Sequence, residues 1–165
     1  MKLNKEKILK AGKIASEVRE YARNFIKKEM LLIEIANKTE EKIYHLGGKP
    51  AFPTCLSMDS IAAHATPKHD SIETAHGIIK VDFGVHIDGW IADTAFSIDL
   101  ENSEENKKII KASENALEAA IATIKNGVQI REIGKAVGNE IESLNLNPII
   151  NLSGHGVDHY VLHSR

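Results

Sequence analysis

Two aspartates on either side of an Asp-Gly pair are the feature of this sequence that most clearly suggests chemistry. Asp82 precedes the Asp88-Gly89 pair and Asp93 follows it, within segments rich in β-branched and aromatic residues. Because Asp-Gly favours a two-residue hairpin turn, we expect Gly84 to face Asp93 across the hairpin. Side chains alternate along strands, so both aspartates would project from one face as diagonal neighbours about 7–8 Å apart.

Two carboxylates at this reach can hold a pair of divalent ions about 3.5–4 Å apart. Without a cation between them, two negative charges so close would be unfavourable. The alternative is that both acids simply face solvent, and a one-residue register slip would put them on opposite faces. The other face of the predicted hairpin is largely apolar and predicts a core face: Val81, Phe83, Val85, Ala92, Thr94 and Phe96.

Histidines supply the second set of candidate residues. His155 lies between two glycines, which permit close backbone approach and suit a fixed ligand. Neutral imidazole beside carboxylates is a common shell for zinc, cobalt, manganese or iron. His64, before a Thr-Pro turn, could be a positioned hydrogen-bond donor, whereas His163 on its own is more typical of a surface or core residue. Cys55 is expected to be a small buried residue, since a nucleophilic pair with His64 would lack a third orienting group.

Composition limits the remaining possibilities. The chain has 165 residues, of which 42% are hydrophobic and 27% charged, typical of a single globular domain. A net charge of −2 gives no overall basic field for nucleic acid. A single cysteine excludes an intrachain disulfide and suits the reducing cytoplasm. Neither a signal peptide nor an apolar run long enough to span a membrane is recognisable.

Periodicity predicts the elements that position these residues. Apolar residues at helical spacing predict helices, alternation predicts strands, and Ser103 is a good helix start because the acids after it favour the first turn. The predicted elements are helices 5–28, 31–46, 103–125 and 130–144, a short strand 56–64, hairpin strands 78–86 and 90–99, and a strand 149–152.

An internal repeat connects these elements. The segment from Lys7 to Ala11 resembles that from Lys108 to Ala112 at a spacing of 101 residues, and later matches follow in the same order. Any two amphipathic helices share some letters, which is the alternative explanation. If the repeat is real, residues 1–101 form a first half and residues 102–165 begin an incomplete second half.

Several stretches together resemble the type 2 methionine aminopeptidases of metallopeptidase family M24, in their archaeal and eukaryotic branch. The matching stretches are 49–53, 62–67, 81–94, 151–155 and 160–163. The resemblance implies an α+β pita-bread fold: duplicated half-domains with a curved antiparallel sheet backed by helices, here with the second half incomplete. Cys55 and Asp59 depart from the asparagines frequent in that family.

The resemblance also implies a role for each candidate residue. Asp82 would bind one of two divalent ions (cobalt, manganese, zinc or iron), Asp93 would bridge both, and His155 would bind the second. His64 and His163 would contact the substrate and assist catalysis. Two further glutamate ligands, one of them the proton shuttle, are expected after Arg165, so we expect residues 1–165 alone to bind metal weakly.

The function implied is cytoplasmic removal of the N-terminal methionine from nascent proteins. Association with ribosomes is an accompanying expectation, with no specific nucleic acid and no membrane as partners. Two alternatives stay open: a non-catalytic pita-bread binding protein that has lost its metals, and an X-Pro dipeptidase of the same fold. Retention of Asp82, Asp93 and His155 argues against the first.

Overall fold

The computed structural model describes residues 3–164, which divide into two compact units. The first contains the described residues up to Glu101 and those from His155 onward, and the second contains Asn102–Gly154. The division after Glu101 lies where the sequence places the boundary between repeats, although the duplication itself stays a prediction. The inclusion of His155 in the first unit was not expected from the repeat.

The first unit is built from helices and short antiparallel strands. Its elements are α1 (Lys5–Phe25), α2 (Leu32–His45), β1 (Lys49–Pro50), β2 (Cys55–Met58), β3 (Ile78–Ile87), β4 (Trp90–Asp99), β5 (Gly156–Asp158) and β6 (Val161–Ser164). Strand β3 is central: β4 pairs with its whole length, while β2 and β1 pair with successive parts of it. Strands β5 and β6 form a separate antiparallel pair.

The β3–β4 hairpin has the predicted turn and register. Asp88 and Gly89 have φ angles of 46° and 83°, the left-handed conformations that a type I′ turn requires at both central positions. Ile87 therefore pairs with Trp90, and Gly84 pairs with Asp93.

The core lies on the hairpin face opposite the aspartates. Val81, Phe83 and Val85 are fully buried, and helix α1 packs against both hairpin strands. This arrangement confirms the predicted core face, and it follows from the apolar residues at alternate positions of β3. The aspartates are thereby displayed on the sheet face that the helix does not cover.

Some predicted boundaries are wrong. Helix α1 ends at Phe25 because Ile26 adopts an extended conformation and buries its side chain in the core. Residues 149–152 do not form a strand; Ile149, Ile150 and Leu152 are instead exposed. β-Branched residues favour a strand only where a partner edge is available, and within residues 3–164 no strand pairs with this segment.

The second unit contains α3 (Glu104–Thr123) and α4 (Ile130–Ser143), which pack against each other. The Ser103 side chain accepts a hydrogen bond from the Asn106 backbone N–H at 3.4 Å, which confirms the predicted helix start. Over the described part of the chain, none of the helices combines the length and apolar character needed to cross a bilayer.

Candidate metal centre

Asp82 and Asp93 open onto one pocket in the first unit. Asp82 lies between Cys55 on β2 and Ala95 on β4, and Asp93 pairs with Gly84. The cavity has a volume of about 280 Å³ and combines three apolar residues with titratable and hydroxyl-bearing ones: Phe52, Pro53, Leu162, Cys55, His64, Thr66, Asp82, Asp93, His155 and His163. All five residues proposed from the sequence as site residues therefore line the same cavity.

Because Gly84 has no side chain, Phe52 of the pocket wall and the neighbouring Ala51 can pack directly against β3. A Cβ atom at this position would lie 2.5 Å from Phe52 Cε1 and 2.8 Å from Ala51 Cβ. The Ala51 backbone N–H also donates to the Gly84 carbonyl at 2.9 Å. The absence of a side chain at Gly84 thus lets Phe52 lie against the strand, beside Asp93.

His155 comes from the far end of the chain to meet Asp93. Its Nε2 atom lies 3.7 Å from Asp93 Oδ2, and the two side chains are 33% and 28% exposed. Two ligand atoms about 2.1 Å from one ion lie at most about 4.2 Å apart, so the pair can share a divalent cation. The ring of His163 contacts that of His155 edge-on, with centroids 4.3 Å apart.

Both aspartates resist ionisation in this pocket. Burial, followed by the charge of Asp93, raises the pKa of Asp82 from 3.8 to about 6, against the opposing effects of His64 and His155. Burial also raises the pKa of Asp93, although His155 and His163 act in the opposite direction. A divalent cation would relieve this penalty by neutralising the carboxylates.

His64 and His163 come from distant parts of the sequence, and both lie near the carboxylates. His64 lies in the loop after β2 with a left-handed φ of 65°, and it is close enough to lower the pKa of Asp82. His163 lies on β6 and lowers the pKa of Asp93. Both imidazoles are exposed at the rim of the cavity, where they could donate to a bound molecule.

The position of Cys55 in the pocket makes a thiolate nucleophile unfavourable. Its Sγ donates to the Pro53 carbonyl at 3.4 Å and also lies 3.4 Å from Thr66 Oγ1. Burial raises the pKa of the Cys55 thiol, and the negative charges of Asp82 and Asp93 raise it further. The thiol therefore stays protonated at neutral pH, and the cysteine–histidine alternative loses support.

The types of donor and the separation of Asp93 from His155 suit a divalent cation, but the side chains do not converge on one metal position. In the described residues 3–164, no group of three or more His, Cys, Asp or Glu side chains is arranged as a complete metal cluster. Carboxylate and imidazole are nevertheless the donors that zinc, cobalt, manganese and iron accept.

Sequence reasoning missed several residues of this pocket. It considered Cys55 as a small buried residue or as a nucleophile paired with His64, not as a neighbour of Asp82, and it assigned no role to Thr66 or Leu162. The pairing of Cys55 with Asp82 depends on which strand adds to the second edge of β3, and no local pattern specifies that. Thr66 and Leu162 could have been suspected only from their closeness in sequence to His64 and His163.

Comparisons with solved structures define the class of fold. A methionine aminopeptidase from Thermotoga maritima superposes with a TM-score of 0.88 at 26% identity, covering 99% of this chain and 70% of that one. A prolidase from Pyrococcus furiosus gives 0.80 at 23% identity, covering 97% and 49%. The architecture is therefore the α+β pita-bread fold shared by these enzymes.

Sequence comparison then identifies the family. The model of metallopeptidase family M24 matches residues 6–164, so the chain belongs to that family. It is 46% identical over 161 residues to a methionine aminopeptidase from Pyrococcus horikoshii, covering 96% of this chain and 54% of that protein. The chain thus spans about half the length of this relative.

Proposed function

We propose that the chain contributes Asp82, Asp93 and His155 to a dinuclear metal centre that removes the N-terminal methionine from nascent proteins. One observation carries the proposal: the two aspartates, from adjacent strands, and a histidine from the far end of the chain face one cavity. Similarity to an archaeal methionine aminopeptidase at 46% identity supports this substrate over an X-Pro dipeptide. Likeness to the prolidase, at 23% identity, supports only the shared fold.

The metal ions would supply a water of lowered pKa and a Lewis acid for the peptide carbonyl. The chain's own part is to hold and orient the reactants. Asp93 is central because it lies 3.7 Å from His155 and contributes to the raised pKa of Asp82. It is therefore the side chain best placed to serve two ions at once.

His64 and His163 would act on the substrate. At the rim of the cavity their ring N–H groups can donate to the carbonyl oxygen as negative charge develops on it, the usual role of preorganised donors. Phe52 and Leu162 supply an apolar wall on the same cavity, as an unbranched methionine side chain would require.

Metal binding by the 165-residue chain tests the proposal. A calorimetric titration with cobalt or manganese should show weak binding. The chain offers three side chains to two ions, whereas a single catalytic ion usually has three protein ligands of its own. Asp93→Asn should weaken binding at least about tenfold, in line with the loss that follows disruption of a metal shell. The matched control is Asp70→Asn, at a loop side chain 73% exposed, which should bind as the wild type does.

Substrate preference provides the second measurement. The metal-loaded chain should release methionine slowly from Met-Ala-Ser, and Asp93→Asn should abolish the release. Faster cleavage of Ala-Pro would favour the X-Pro dipeptidase. Cobalt binding that is equally strong in the wild type and in Asp93→Asn would contradict the proposed centre, and a function unaffected by this substitution would favour a non-catalytic binding protein.

A further inference from the structure

The residues between β5 and β6 pack against the turn of the β3–β4 hairpin and form hydrogen bonds with it. The Tyr160 backbone N–H donates to the Gly89 carbonyl at 2.8 Å, and His159 Nε2 lies 2.7 Å from the Asp88 carbonyl oxygen. A Cβ atom on Gly89 would fall 2.3 Å from the Tyr160 ring, so the ring packs on a surface that only glycine provides. We call Asp88, Gly89, His159 and Tyr160 the clasp.

Two residues of the clasp, His159 and Tyr160, lie in the chain between His155 and His163 of the candidate site. Tyr160 follows His155 by five residues and precedes His163 by three, and Asp158 pairs with Val161 around it. Holding this turn against Gly89 therefore holds the β5–β6 pair against the β3–β4 hairpin. At the end of the pair away from the turn, where Gly156 pairs with Ser164, His155 reaches Asp93 and His163 contacts the His155 ring.

His86 completes the clasp from within the sheet. The Gly89 backbone N–H donates to His86 Nδ1 at 3.0 Å, so this nitrogen must carry no proton. The His86 ring also meets the Tyr160 ring edge-on, with centroids 5.7 Å apart. Protonation of Nδ1 would replace an acceptor by a donor facing another donor, and the turn would lose the bond that orients it.

We propose that His86 is a positioning residue whose neutral form holds the clasp closed and thereby places His155 and His163 over the aspartates. This role deepens the proposed function and rests on it for the importance of the two histidines. Closure of the clasp is itself a property of the metal-free chain. It can therefore be tested independently of metal binding and activity.

The charges around His86 favour its neutral form. Burial lowers the pKa of His86 from 6.5, Lys49 on the paired strand lowers it further, and Asp88 opposes them. Asp88 itself is engaged by Lys7 of α1 at 2.7 Å. His159 also faces this turn, but it donates to the Asp88 carbonyl as well when protonated as when neutral. The clasp should thus be closed at neutral pH and open as the pH falls below the lowered pKa of His86.

Hydrogen exchange of the Tyr160 amide measures closure directly, because this N–H donates to Gly89. Two substitutions separate the acceptor from the ring. In His86→Asn an amide oxygen that cannot be protonated takes the place of Nδ1, whereas His86→Phe keeps a ring and removes the acceptor. At pH 7.5, without metal, we expect Tyr160 protection to fall about tenfold in His86→Phe, as loss of one hydrogen bond implies, and to be retained in His86→Asn. The imidazole NMR signals of His155 and His163 should move only in His86→Phe.

The dependence on pH gives an independent arm that does not need the phenylalanine variant to fold. Corrected for intrinsic exchange, Tyr160 protection should decrease in the wild type as the pH falls from 7.5 to 5, and it should stay constant in His86→Asn. Equal protection in His86→Phe and the wild type, an equal loss in both variants, or the same pH profile in the wild type and His86→Asn would each overturn the proposal. None of these outcomes depends on whether the centre binds metal, so the proposed function is judged separately.

Discussion

Replacing Asp82 by asparagine should stabilise the metal-free chain at neutral pH. The pKa of Asp82 is raised to about 6, chiefly by burial and then by the charge of Asp93. The folded state therefore disfavours the ionised carboxylate, which water solvates well in the unfolded chain. Asparagine keeps nearly the same shape and removes the charge, so the substitution should increase the free energy of unfolding.

The sign and size of the effect follow from proton linkage. Between pH 3.8 and about 6 the folded chain binds more protons at Asp82 than the unfolded chain does, so stability falls as the pH rises through this window. At 1.36 kcal/mol per pKa unit, a carboxyl with this rise would cost about 3 kcal/mol if fully withdrawn from water. Asp82 is only partly buried, and solvent screening reduces the expected cost to about 1–2 kcal/mol.

Urea unfolding with a chelator present, at pH 4 and at pH 7.5, measures this difference. The free energy of unfolding of Asp82→Asn should exceed that of the wild type by about 1–2 kcal/mol at pH 7.5. The difference should largely disappear near pH 4, where the folded wild type is protonated at Asp82 and carries no charge there. Asp70→Asn, at the exposed loop position, should behave as the wild type at both pH values. If Asp82→Asn is no more stable than the wild type at pH 7.5, the two aspartates do not share a desolvated pocket, and the argument for the site fails.

Two further predictions concern the walls of the pocket. Gly84→Ala should destabilise the fold by about 1–3 kcal/mol, as overpacking does, because its Cβ would meet Phe52 at 2.5 Å. The matched control is Gly12→Ala in α1, where nothing lies within 4 Å of the added atom; urea unfolding should show a gain of about 0.5–1 kcal/mol there, and similar effects at both glycines would contradict the packing argument. Alkylation of Cys55 by iodoacetamide should be slow at pH 8, because burial and the nearby carboxylates raise the pKa of its thiol. Asp82→Asn should accelerate the alkylation, and an unchanged rate would show that Asp82 does not act on the thiol.

The sequence predicted the part of the site that local rules govern. The Asp88-Gly89 pair determined the turn, the turn determined the register, and the alternation of side chains then put Asp82 and Asp93 on one face. Each step needs only neighbouring residues, so a single sequence contains enough information for it. The observed register, with Gly84 opposite Asp93, confirms that chain of reasoning.

Other features depend on contacts between distant segments and could not be predicted in this way. The strand predicted at residues 149–152 failed because β-propensity cannot supply a partner edge. The segment that does form strands begins at Gly156 and turns at Tyr160, whose φ of 56° is unusual for an aromatic residue. That turn is stabilised by its contact with Gly89, 71 residues away, so the residues around Tyr160 alone could not predict the turn.

The locations of left-handed backbone conformations and of aspartates with a raised pKa support a functional role for the pocket. Seven described residues other than glycine have left-handed φ angles, and four of these are aspartates or asparagines, which tolerate that conformation in turns. Two of the other three, His64 and Tyr160, lie in the pocket or in the clasp that positions its histidines. The aspartates of raised pKa lie in the same pocket. Packing alone gives no reason for strained backbone and poorly solvated acids to gather around one cavity, whereas binding of cations and of a substrate carbonyl does.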